Sequence, residues 1–192
     1  MEPYSPPCLP GLISDCQMFE MDKASKILLE PKAIHLRLVD LSQEIVAYFG
    51  DTDFLVVGLM NGVFIFLADL VRLFPYPVEI AFLRASSYGQ STESGEIRVD
   101  SLDRYELQGR RILLVDDILD TGKTLSYVRQ CLLEKGASIV DVCVLLNKPN
   151  RRVVPVEAKF IGFTIANEFV VGYGLDYAEK YRNLPGIWAI RP

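Results

Sequence analysis

The residues best suited to chemistry lie between Ile112 and Thr124, Ile-Leu-Leu-Val-Asp-Asp-Ile-Leu-Asp-Thr-Gly-Lys-Thr. Two adjacent carboxylates, Asp116 and Asp117, close a short apolar run, and a third, Asp120, precedes Thr121-Gly122-Lys123-Thr124. Carboxylates bind sugar hydroxyls and metal ions, and a glycine turn opening a helix offers free backbone N–H groups to phosphate. Acids beside an amide cradle therefore suit a phosphorylated sugar. An Asp-rich turn that merely caps a helix explains Asp120 as an N-cap. It leaves two more acids at the end of a buried strand, where unpaired charge is costly. Two nucleotide motifs are excluded by the letters: a P-loop needs glycine where Asp117 stands, and the only Gly-x-Gly, at Gly172 and Gly174, lacks the third dinucleotide-binding glycine at Tyr177.

The elements that must position these residues follow from hydrophobic spacing. Ile112 to Val115, β-branched at both ends, reads as a buried parallel strand whose carboxyl end delivers the acids to the ligand edge of an open sheet. Leu125, Val128 and Leu132 then mark a helix over 122–135, stopped by Gly136. Phe54 to Leu59 predict a second buried strand, turned by Met60-Asn61-Gly62 into an apolar helix from Val63 to Phe74. Val78 to Ala85 predict a long strand leading to Ser86-Ser87-Tyr88-Gly89 and a polar, flexible loop through Glu96. Val140 to Leu146 make another, running into Asn147-Lys148-Pro149, with Arg151 and Arg152 read as surface charges. Upstream, Pro31 opens a helix striped by Ile34, Leu38, Leu41, Ile45 and Tyr48 and closed by Gly50, and Ile187 to Ile190 form a last strand. The single histidine, His35, lies off that stripe and reads as solvated, so proton transfer falls to carboxylates.

Composition bounds the rest. A chain of 192 residues, half of them hydrophobic and 23% charged, suits one globular domain rather than a disordered segment. A net charge of −5 argues against a nucleic-acid partner. Cys8, Cys16, Cys131 and Cys143 show neither metal spacing nor a disulfide framework. With no signal segment and no apolar run of membrane-spanning length, a cytoplasmic location without a membrane partner is expected. Residues 1–30, with Pro3, Pro6, Pro7 and Pro10 and no clear period, read as an arm ahead of a domain over 31–192.

The 112–124 stretch resembles the phosphoribosyl-pyrophosphate signature of the type I phosphoribosyltransferases. Phe160 to Ile165, Asn167 to Tyr177 and Lys180 to Pro185 resemble, more specifically, the purine-binding block of the hypoxanthine-guanine phosphoribosyltransferase family. The resemblance covers roughly residues 30–190. It implies an α/β fold with a twisted, mainly parallel sheet flanked by helices and a small hood built from both chain ends. It also implies transfer of a 5-phosphoribosyl group from phosphoribosyl pyrophosphate to a 6-oxopurine, hypoxanthine or guanine, in purine salvage with Mg2+. In that family Asp116 and Asp117 would hold the ribose and metal, although Glu-Asp is the commoner pair. Asp120 to Thr124 would cradle the 5-phosphate, and Asp120 would take the purine N7 proton. Lys148 would bond the 6-oxo group, Phe169 would stack on the base and the Val170 backbone would read its edge. Asp176 would hold a magnesium through its water shell, and Arg182 would contact pyrophosphate. Met60, Asn61 and Gly62 would form the pyrophosphate loop, with Met-Asn where the family has Leu-Lys. Ser87 and Tyr88 would lie on a closing loop. A homodimer or homotetramer is implied as well. The competing readings are a nucleotide-sensing regulator without catalysis, suggested by the lost loop lysine, and a pyrimidine or adenine phosphoribosyltransferase, opposed by Lys148 and the Phe169 to Asp176 block.

Overall fold

The computed structural model describes residues 26–50, 53–87, 97–100 and 104–191. Five strands form a parallel sheet: β2 (Phe54–Met60), β3 (Glu79–Ser87), β5 (Arg111–Leu119), β6 (Ile139–Asn147) and β7 (Phe160–Thr164). β4 (Ile97–Asp100) pairs antiparallel on the β3 edge, giving the order β4-β3-β2-β5-β6-β7. A second sheet of three antiparallel strands joins β1 (Lys26–Leu29), β9 (Ile187–Ile190) and β8 (Phe169–Val171), so both ends of the described chain meet in it. The twisted, mainly parallel sheet inferred from sequence is the one present.

Alternation along the strands separates two apolar layers. Phe54, Val56, Leu113 and Val115 pack with α1 (Pro31–Phe49) and α2 (Phe64–Val71) on one face. Leu55, Val57, Ile112 and Leu114 pack with α3 (Lys123–Glu134) on the other. Burial on both faces explains why these strands are nearly continuous apolar runs. In α1 the buried stripe is Ile34, Leu38, Leu41, Ile45 and Phe49. Its last member is thus Phe49 rather than Tyr48, because i+4 from Ile45 faces the core while i+3 swings to its exposed rim. Phe49 stacks on Phe54 at 4.1 Å, and its truncation to alanine would cost about 3–5 kcal/mol.

Two departures from the sequence reading matter. Lys26–Leu29, placed in the arm, is a strand: Lys26 pairs with Ala189 and Ile27 with Trp188. Four residues are too short for a period to declare itself, and the partner lies at the far end of the chain. The central strand also runs on past Val115 to Leu119, so the first two acids lie within β5. The extension is one-sided. Pairing with β2 ends at Gly58–Val115, whereas pairing with β6 continues through Asp116–Val144 to Leu119–Asn147. β2 departs toward β3 and β5 continues toward β6, so a crevice opens between them where the connection direction reverses, the usual ligand position in such a sheet.

Candidate active site

Asp116 and Asp117 occupy that crevice. Asp116 Oδ1 accepts a hydrogen bond from the Asp117 N–H at 3.0 Å. Burial raises the Asp116 pKa well above the usual carboxylate range, and the Asp117 charge raises it further. Burial also raises Asp117, to about 6, although the Ile118 N–H, Asp116 and the Arg182 charge pull the other way. Two acids held this close, half-buried in the wall of a cleft, are short of positive charge, an environment that suits a cation or a donor-rich ligand.

The chain from Asp116 to Gly122, with Thr124 and Leu125, lines a cleft of about 230 Å³. Gly122 is the N-cap of α3 at φ 83 and supplies no side-chain cap, so the amides of the first turn have no partner within the helix. A Cβ at Gly122 would stand 2.7 Å from the Val154 carbonyl oxygen, so glycine is required by space as well as by φ. Thr121 Oγ1 accepts from the Lys123 N–H at 3.4 Å, and Lys123 and Thr124 are exposed. Asp120 does not cap the helix. Its carboxylate faces the Arg151 guanidinium at 3.1 Å, so the capping explanation of this acid fails.

On the β6 side stands Lys148, 8% exposed, whose Nζ donates to the Glu168 carbonyl at 2.7 Å. Burial lowers its pKa and the Asp120 charge partly restores it. Beyond it Phe169 is 42% exposed and meets Tyr177 edge-on at 5.5 Å, leaving ring surface open. Val170 is buried in β8 and pairs with Ala189. On the β2 side Met60-Asn61-Gly62 turns through a cis Met60–Asn61 peptide. A Cβ on Gly62 would fall 1.6 Å from Asp117 Oδ2, and one on Gly174 would fall 2.1 Å from the Gly62 carbonyl oxygen. The loop is therefore packed between the acid pair and the Gly172–Gly174 turn. Arg182 pairs with Asp176 at 2.9 Å and Glu179 at 2.9 Å and donates to the Gly174 carbonyl, tying the same turn. Ser87 ends β3, and Tyr88 lies outside the described residues, as does the loop that follows it.

A family model described as a phosphoribosyl transferase domain matches residues 25–178. A hypoxanthine-guanine phosphoribosyltransferase of Aquifex aeolicus (strain VF5) is 42% identical over 170 residues, spanning 88% of this chain and 96% of the relative. The chain belongs to the hypoxanthine-guanine phosphoribosyltransferase family. A second relative of that name, from Bacillus subtilis (strain 168), is 39% identical over 168 residues, 87% of this chain and 93% of its own. The solved structure of a hypoxanthine phosphoribosyltransferase from Staphylococcus aureus superposes with a TM-score of 0.82 at 35% identity, covering 87% of this chain and 91% of that one.

Within this phosphoribosyltransferase the structure corrects one reading and adds a residue that sequence reasoning missed. Arg151 and Arg152 are not merely surface charges. Arg151 holds the Asp120 carboxylate, while Arg152 donates to the Asp120 carbonyl at 2.9 Å and to Asn147 Oδ1 at 2.7 Å. With Val153 and Val154 N–H groups both on the Thr121 carbonyl, the segment after β6 braces the phosphate turn. Two adjacent arginines in a polar turn gave no sign of that, because their partners lie 31 and 32 residues away. Arg84, missed altogether, reaches Asn61 Oδ1 at 3.0 Å. No helix among the described residues is long and apolar enough to cross a membrane.

Proposed function

We propose that the chain transfers a 5-phosphoribosyl group from phosphoribosyl pyrophosphate to N9 of hypoxanthine or guanine, yielding IMP or GMP and pyrophosphate in purine salvage. The observation that carries this reading is the division of the crevice about β5. An acid pair and an open helix N-terminus stand at the centre, with a buried lysine and an exposed aromatic ring toward β6 and β8.

The roles follow from chemistry. Asp116 and Asp117 hold the ribose hydroxyls. The amides and hydroxyls from Thr121 to Thr124 cradle the 5-phosphate, with Asp120 at the edge of that cradle. Phe169 stacks on the purine, and Lys148 donates to its 6-oxo group. Adenine presents an amino donor there, and donor against donor leaves a buried polar group unpaired, which discriminates strongly. Asp120 accepts the N7 proton as the base becomes nucleophilic. The bond from the anomeric carbon to pyrophosphate breaks with positive charge developing on the sugar, and Arg182 with the Met60–Gly62 amides receives the departing anion.

Mg2+ fits this donor set. It takes one or two carboxylates and keeps waters and phosphate oxygens for the rest, and the adjacent carboxylates of Asp116 and Asp117 can supply that share. Asp116 and Asp117 are its proposed holders, with Asp176 acting through water. When bound, the ion neutralises charge on the departing pyrophosphate. A second copy of the chain is a further proposed partner, supported by Ile80 and Phe82, two exposed apolar residues on one face of β3.

The test is nucleotide formation with phosphoribosyl pyrophosphate, Mg2+ and, in turn, hypoxanthine, guanine, xanthine and adenine. Product from hypoxanthine or guanine but not adenine is expected. Binding of the sugar substrate without product from any base would instead favour a nucleotide-sensing regulator.

A further inference from the structure

Arg84 is the cation at this end of the sheet that the roles above leave unused. β2 and β3 run parallel with Met60 opposite Arg84, so the strand carries Arg84 level with the Met60–Gly62 loop. Ala81 and Leu83 are buried, while Phe82 and Arg84 are exposed on the opposite face. Arg84 Nη2 donates to Asn61 Oδ1 at 3.0 Å. That bond uses the acceptor of the Asn61 amide and leaves its two N–H donors, together with four N–H donors of the guanidinium. The couple therefore presents donors and positive charge, and it is exposed. Arg151 at this edge faces Asp120, and Arg182, the other proposed pyrophosphate contact, shares its charge with Asp176 and Glu179. On the other side of β3, the antiparallel register with β4 sets Arg84 opposite Asp100.

We infer that Arg84 and Asn61 together form a second cationic contact for the pyrophosphate group beside Arg182, with Arg84 binding the anion directly and fixing the Asn61 amide to do the same. The assignment rests on the phosphoribosyl transfer proposed above. Position selects pyrophosphate over the other anion of the substrate. Gly62, next to Asn61, abuts Asp117, so the couple is one residue from the acid pair on its β2 side. Lys148 and Phe169 are on its β6 side, and the 5-phosphate cradle follows β5 itself. Nucleophile and leaving group must approach the anomeric carbon from opposite sides, and only the β2 side remains for the leaving group. A neutral Asn61 paired with a long arginine thus supplies the charge from the neighbouring strand.

Calorimetric titration of magnesium pyrophosphate into the full chain tests this without requiring turnover. Wild type, Arg84→Met, Arg84→Lys, Asn61→Ala and the Arg84→Met/Asn61→Ala double variant are compared, with IMP titrated into each as a control. Arg84→Met should weaken pyrophosphate by about 10-fold or more, the usual worth of a charged hydrogen bond. Arg84→Lys should recover part of the loss, the double variant should be weaker than Arg84→Met by less than Asn61→Ala alone predicts, and IMP should change less than about twofold. Pyrophosphate binding unchanged by Arg84→Met, or undetectable in wild type, overturns the inference, and so does an equal loss for IMP. Nucleotide formation by wild type alongside an unaffected Arg84→Met would sink only this assignment. A pyrophosphate response to Arg84 without nucleotide formation would sink only the transferase reading.

Discussion

Lys148 aims its ammonium at the carbonyl of Glu168, 2.7 Å away, across the gap between the end of β6 and the start of β8. The contact joins the parallel sheet to the three-stranded one and fixes a charged donor beside the open ring of Phe169. One hydrogen bond leaves two ammonium donors for a ligand. Replacing Lys148 with alanine should lower kcat/KM for hypoxanthine by about 10- to 100-fold, the worth of a hydrogen bond from a charged group. Any trace turnover of adenine at high enzyme concentration should change little, so the preference narrows. Steady-state kinetics with both bases measure this, and a parallel fall would show that Lys148 only braces the two sheets.

Phe169 is the complementary case, since its ring gives area rather than direction. A base lying on an aromatic face gains about 1–3 kcal/mol. Phe169→Ala should therefore raise KM for both hypoxanthine and guanine by roughly 10- to 100-fold, with kcat within a few-fold of wild type. Tyr177 loses its edge contact in the same variant, so a thermal melt is run alongside. An unchanged KM would remove Phe169 from the base site.

The acids and Lys148 were legible in position because each stands at or just past an apolar run that the sequence announces, whereas Phe169, which opens β8, was assigned to the base through the resemblance alone. Ile112 to Val115, Phe54 to Leu59 and Val140 to Leu146 are runs buried on both faces, and the structure extends each by a few residues at most. Lys148 therefore fell at the ligand edge from spacing alone. What spacing could not carry was contact across long sequence separations. The strand at Lys26–Leu29 exists only because Ile187–Ile190 returns to it, and Arg84 meets Asn61 only because two parallel strands share a register. The extension of β5 past its apolar residues is the same kind of miss, since polar Asp116 and Asp117 stay in the strand through pairing with β6 alone.

Asp120 sits at the mouth of the phosphate cradle with Arg151 on its carboxylate and Arg152 on its carbonyl. Such bracing holds a short side chain in one place, which a group accepting a proton requires. Asp120→Asn keeps the size and the backbone contact but loses the proton acceptor. Turnover should fall by about 100- to 10,000-fold, as for loss of a general base. KM for phosphoribosyl pyrophosphate should move by less than about 3-fold, since only the transition state uses the lost group. Comparable losses in turnover and in substrate affinity would make Asp120 a binding residue.

Asp117 ties the site to pH in a way that runs against the usual behaviour of acids. An unfolded aspartate ionises near 3.9, whereas burial lifts Asp117 to about 6 in the native protein. Below about pH 4 both states are protonated and the buried group costs nothing extra. As pH rises toward and through about 6, the native protein must hold a charge in a half-buried site beside Asp116, and that share of stability is lost. Asp117→Asn is neutral throughout. The melting temperature of the variant relative to wild type, measured without ligand or metal, should therefore increase from about pH 5 to about pH 8, by the equivalent of roughly 1–3 kcal/mol. Adding magnesium and phosphoribosyl pyrophosphate should reverse the order at about pH 8, because ligands that need the anion stabilise only the ionised wild type. A difference independent of pH would mean that Asp117 ionises as an ordinary surface acid and is not poised for a cation.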